Sequence, residues 1–147
     1  MLRTSLEKLE ETREMFTGVE ILVENTGIRQ ERTQLLDQEE FTDLCRDRQI
    51  TALIDVGHAN ANGWDIPKLI RDLEGRIGGF HLHNNDGAHD QHSRVREGTL
   101  DFRALFSLIR RYVPDAPRVI EYISPAYHGR PLLEDIAFVQ ALAEGNG

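Results

Sequence analysis

Four short apolar runs alternate with longer stretches whose apolar residues recur at helical spacing, and this alternation restricts the chain to a fold built from parallel βα units. The runs are Val19 to Glu24, Thr51 to Asp55, Gly79 to His83 and Arg118 to Tyr122. Each is nearly continuous in apolar character, as expected of strands covered on both faces. Helices are predicted over Leu2 to Phe16, Gln38 to Arg48, Asp65 to Leu73, Asp101 to Tyr112 and Leu132 to Glu144. Asp37 and Asp65 are suited to N-caps, Pro67 and Pro131 to first turns, and Asp101 to capping the helix that follows it. Gly75, Gly78 and Gly79 stop the third helix before its strand. The expectation is one α/β domain over residues 1–147, a parallel (βα)4 unit preceded by an N-terminal helix.

A sheet of four parallel strands has two unpaired edges and an uncovered face. An eight-stranded barrel needs about 250 residues, and this chain has 147. Either it is half of a longer barrel or two copies associate as a homodimer.

Its 39% hydrophobic content supports a core. No apolar run approaches the roughly 20 residues that span a bilayer, so no membrane association is expected. The charged N-terminus lacks the apolar core of a secretory signal, which makes a cytoplasmic location the default. A formal charge of -8 provides no electrostatic footprint for nucleic acid, and a small sugar or sugar phosphate is the better partner. The lone Cys45 lies in a predicted helix, has no intrachain disulfide partner and is expected to be a small buried side chain.

Functional groups in parallel α/β folds gather at the carboxyl ends of the strands. Here those ends carry Glu24, Asp55, the pair His81 and His83, and Glu121; His58 follows Asp55 closely. His81 and His83 point to one face, and the residue nearer the carboxyl end, His83, is the one expected to reach the site. His89 is expected to be exposed. Mixed carboxylate and imidazole donors without thiolates suit Mn²⁺, Mg²⁺, Co²⁺ or Zn²⁺ in an open catalytic site.

Together Glu24-Asn-Thr, Asp55-Val-Gly-His58, His81-Leu-His83-Asn-Asn-Asp86, Asp90-Gln-His92 and Glu97-Gly-Thr-Leu-Asp101-Phe resemble the xylose isomerase-like TIM-barrel superfamily. That superfamily includes sugar isomerases, ketose 3-epimerases and the endonuclease IV group. The resemblance runs from Val19 through Glu121 and the following helix, and corresponds to the second half of the barrel. It implies a metal set of Glu24, Asp55, His83 and Glu121, with Asp90 and His92 available to a further metal. It also implies that Glu24 and Glu121 act as an acid/base pair, with His58 among the catalytic residues as a ligand or substrate contact.

The implied function is a metal-dependent sugar (phosphate) isomerase or epimerase. The alternatives are an endonuclease IV-type phosphodiesterase on abasic DNA and an inactive half-barrel that serves as an assembly module. Two departures from the family pattern stand out. The usual Gly-x-Gly after the Asp-x-His pair reads Arg96-Glu-Gly98, and no lysine follows Glu24, so true xylose isomerase activity is not expected.

Overall fold

The computed structural model describes residues 2–146. Helix α1 (Leu2–Met15) leads into β1 (Leu22–Glu24), α2 (Gln38–Asp47), β2 (Thr51–Asp55), α3 (Val56–Ala61) and α4 (Ile66–Asp72). Then come β3 (Ile77–Leu82), α5 (Phe102–Tyr112), β4 (Arg118–Ile120), a short 3-10 turn (Pro125–Tyr127) and α6 (Arg130–Glu144). The four strands form one parallel sheet in the order β1-β2-β3-β4. This is the α/β arc that the alternating periodicities predict, and the architecture of part of a TIM barrel.

The sheet is covered on one face. Side chains alternate along a strand, and Ala52 and Ile54 of β2 and Phe80 and Leu82 of β3 are buried against the helices. There they join Leu69, Ile70, Phe106 and Ile109 in the core. The opposite face is open, and Val119 on β4 is 53% exposed. Coverage of both faces, expected from the apolar runs, is therefore not found among the described residues.

Local chemistry accounts for the helix boundaries. Asp37 and Glu40 form a reciprocal capping box at the start of α2. Asp65 caps α4 through Lys68 N, and Asp101 caps α5 through the backbone amides of Arg103 and Ala104. Of the three glycines expected to end the helix predicted over Asp65 to Leu73, α4 in the structure, only Gly75 does so, with φ 77°. Gly78 and Gly79 are inside β3, where the β2–β3 register skips Gly78, pairing Ala52 with Ile77 and then Leu53 with Gly79. A Cβ on Gly78 would be 2.4 Å from the Leu22 side chain, so glycine is needed for strand packing there, not for helix termination.

Cys45 is fully buried in α2, and burial pushes its thiol up to about 11, which leaves it unreactive. No described helix is long and apolar enough to cross a membrane. Truncating Phe80, completely buried between the sheet and its helices, is expected to destabilise the fold by about 3–5 kcal/mol. Urea unfolding of Phe80→Ala checks this, with a shift in midpoint at constant slope as the expected result.

Candidate metal centre

The carboxyl edge of the sheet brings eight titratable side chains into two adjoining groups. The first consists of Glu24, Asp55, His81 and Glu121, the second of His58, His83, Asp90 and His92. Within each group, one donor atom per residue can be chosen so that all lie within 4.8 Å of one another.

Asp55 ends the second strand, fully buried, and holds its place through several bonds. Its backbone N–H donates to Asn25 Oδ1 at 2.7 Å, and its carbonyl accepts from Asn25 Nδ2 at 3.0 Å. Asp55 Oδ1 accepts from His58 N at 2.7 Å, which caps the six-residue α3. That cap sets His58 directly above the strand end. His58 Nδ1 lies 3.1 Å from Asn25 O and 3.6 Å from Glu24 Oε1, and its Nε2 is 3.3 Å from Asp90 Oδ2.

His81 is flanked by the two glutamates. Its Nδ1 lies 3.3 Å from Glu24 Oε1 and 3.1 Å from Glu121 Oε2. Parallel pairing sets His81 beside Asp55, with Nδ1 3.9 Å from Asp55 Oδ2. His83 is completely buried one step further along, with Nε2 2.9 Å from Asp55 Oδ1. Its ring stacks on His92 at 3.8 Å between centroids. His92 Nε2 is 3.1 Å from Asp90 Oδ1, and its Nδ1 is 3.2 Å from the Glu121 carbonyl.

The donors fit a divalent cation on two counts. Among the described residues, four buried polar atoms of these two groups make no well-directed hydrogen bond, Asp55 Oδ2, His83 Nδ1, His83 Nε2 and Asp90 Oδ1, although His83 Nε2 and Asp90 Oδ1 each have an ion-pair neighbour within 3.1 Å. Buried polar groups are normally satisfied, and unsatisfied atoms gathered within the two donor groups are what a ligand would complete. The second count is chemical: neutral imidazoles and carboxylates are the donor set of Mn, Co and Zn sites.

Every site residue named from the sequence lies in one of the two groups, but the partition differs in one respect. His81, set aside in favour of His83, joins the three carboxylates, while His83 belongs to the histidine-rich group and touches the first through Asp55. His89 is exposed and paired with Asp86 at 2.9 Å, away from both groups. Two contributors escaped the sequence reading. Asn25 holds the Asp55 backbone, and the Glu24-Asn-Thr motif was its available signal. Gly57 is needed because a Cβ there would sit 2.0 Å from His83 Cε1.

The fold and the donor groups define a partial (βα) barrel with a candidate cation site at its strand ends. The chain's sequence matches the model of the xylose isomerase-like TIM barrel over residues 1–142, and the chain is a member of that family. Among solved structures it is similar to a D-tagatose 3-epimerase-like protein, with TM-score 0.77 and 21% identity over 97% of this chain and 53% of that one. An L-ribulose 3-epimerase gives TM-score 0.63 and 21% identity over 96% of this chain and 48% of the other. The chain thus spans about half the length of these structures. No curated protein matches it.

The Asp55–His83 pair gives a signed pH dependence. Burial pushes the His83 pKa down, but the Asp55 carboxylate outweighs it and the net shift is upward. Burial likewise raises Asp55, but His83 and His58 outweigh it and the net shift is downward. A raised histidine stabilises fully below its unfolded value, about 6.5, and loses that contribution as pH rises through the folded value. The lowered Asp55 keeps its part until the pH falls below the ordinary carboxylate range. In chelator-treated protein the melting-temperature difference between wild type and His83→Asn should therefore be widest below the ordinary imidazole value of about 6.5 and narrow as the pH rises above it. In a second measurement, Gly57→Ala should cost about 1–3 kcal/mol in urea unfolding by displacing the His83 ring, and His83 should show the largest shift among the histidine ring NMR signals.

Proposed function

We propose that the chain carries the metal-binding and proton-transfer side of a divalent-metal-dependent sugar isomerase or epimerase. The observation that supports this reading most directly is the approach of Glu24 and Glu121 to one atom, His81 Nδ1, at 3.3 and 3.1 Å. These carboxylates come from β1 and from the residue after β4, the two outer strands of the sheet. A sugar bound over His81 would have one carboxylate on each side. One side chain would take the proton from the carbon next to the carbonyl, and the other would return a proton to the opposite face. Such an exchange inverts that carbon.

Glu24, Asp55, His81 and Glu121 would hold a divalent ion; His83 would contact it through Asp55, and His58, Asp90 and His92 would serve a second. Bound there, the ion would supply Lewis-acid polarisation of sugar oxygens. His58, tied to Asn25 O and Asp90, would orient substrate at the rim. The open sheet face would need covering before water could be excluded. A further half-barrel, from the same polypeptide or a second copy of this chain, would supply that cover.

The histidine-rich group favours one further reading. An Asp90–His92 pair beside His58 would also suit a multi-metal phosphodiesterase acting on abasic DNA, although the -8 charge weighs against a polyanionic substrate. One panel of assays separates the two. Protein supplied with Mn²⁺ or Co²⁺ is offered free and phosphorylated ketoses in deuterated water, and an abasic duplex at low salt. The expected result is deuterium incorporation at one sugar carbon, falling about 100- to 10,000-fold in Glu24→Gln and in Glu121→Gln. Nicking of the duplex that is lost in Asp90→Ala would replace the isomerase reading with the phosphodiesterase one.

A further inference from the structure

The 84–100 segment between β3 and α5 carries Asp90 and His92, and little regular structure supports it. Its base is tied by paired backbone bonds between Asn84 and Ser93, 2.9 and 2.8 Å. The Asn84 side chain also donates to the carbonyls of Val95 and Leu100. His92 has φ 47°, a left-handed conformation that a non-glycine residue keeps only when its surroundings enforce it. The enforcing contacts therefore matter to the site.

They converge on Asp135. This carboxylate is completely buried on α6, outside both donor groups, and it takes no direct part in the proposed chemistry. Arg94 reaches it through Nε at 2.8 Å and Nη2 at 2.9 Å, a bidentate pairing. Arg96 Nε donates to it at 3.1 Å, and the Tyr122 hydroxyl at 2.8 Å. That same Tyr122 oxygen accepts from Val95 N at 2.9 Å, and Tyr122 directly follows Glu121. Arg94 Nη2 also donates to Pro131 O at 3.1 Å, a second tie to the start of α6. A buried charge is tolerated only when fully compensated. Asp135 thus locks residues 94–96, just beyond His92, to the strand end that presents Glu121.

We propose that Asp135, acting through Arg94 and Tyr122, is a positioning residue that sets Asp90 and His92 against His58 and His83, and so tunes the histidine-rich group for a divalent cation. The inference rests on the metal-centre reading above for its ligand, but the positioning it describes is a property of the chain itself. Tyr122→Phe removes the hydroxyl that links Asp135 to Val95 while keeping the ring. Asp135→Asn keeps the shape and removes the charge.

The test is titration with Co²⁺ alone, followed by calorimetry and visible absorption, with amide hydrogen exchange on the metal-free protein. In Tyr122→Phe, affinity for the second equivalent should fall about 10- to 100-fold, the usual effect of losing a partner behind a metal ligand, with the first equivalent unchanged. Exchange should quicken within residues 84–100 alone. Asp135→Asn should act in the same direction and more strongly. Unchanged affinities, or equal losses at both equivalents, would overturn the proposal. Were wild-type protein to take up no Co²⁺, the metal-centre reading would fall, and exchange would decide the positioning by itself. Faster exchange confined to 84–100 would sustain it; unchanged or chain-wide exchange would end it.

Discussion

A fully buried carboxylate at the end of a central strand, Asp55, has to be compensated, and most of the site is arranged around that requirement. Asn25 grips its backbone from β1's end, while the first turn of α3 donates to its side chain. His83 approaches the same oxygen as the α3 cap, and His81 the other oxygen. Because Asp55 is shared, the two donor groups form one electrostatic unit. Removing one partner would leave the remaining charge buried without compensation, which is costlier than losing a surface ion pair. The same compensation shifts Asp55 and His83 in opposite directions and favours the ionised pair.

The second governing constraint is the open sheet. β1 and β4 are edges of the sheet, and parallel edges of this kind invite further pairing. The solved structures to which the chain is similar are about twice its length, and in a full eight-stranded barrel further strands would complete the arc. Closing the arc into a barrel would place the carboxyl edge at one mouth, with both glutamates on strands next to the seams. In that arrangement Glu24 and Glu121 feel the closure most directly, whereas Asp55 and His81, on inner strands, are already fixed by this chain alone.

Much of the architecture was legible because each strand's apolar run ends on a donor residue, and because Asp37, Asp65 and Asp101 mark helix starts by a local mechanism. What periodicity could not settle was lateral register. His81 and His83 share a face by simple alternation, yet which of them sits between the two glutamates depends on Asp55 pairing with His81 across β2 and β3. The bulge at Gly78 contributes to that register, and a bulge leaves no mark on a hydrophobic pattern. Helix α3 escaped notice because six residues rich in alanine, glycine and asparagine carry no amphipathic signal. Asp135 escaped for a different reason. Within its own helix it reads as one more polar position, and its arginine partner is 41 residues away in sequence.

The contrast between Asp55 and Asp135 bears on how such a site is held. Both are fully buried carboxylates, but Asp55 is compensated chiefly by the His83 imidazole, with the His58 backbone amide, and Asp135 by guanidinium groups, which stay charged. Burial pushes Asp135 upward, yet the bonds from Arg94 and Tyr122 outweigh it and hold it below the ordinary carboxylate range. Its clamp therefore persists as the pH rises through the range in which His83, held above the ordinary imidazole value by Asp55, loses its proton. A site that took up a cation, as proposed above, would gain from this division. His83 would change its charge within the donor groups, while the guanidinium groups that fix the 84–100 segment remain charged throughout.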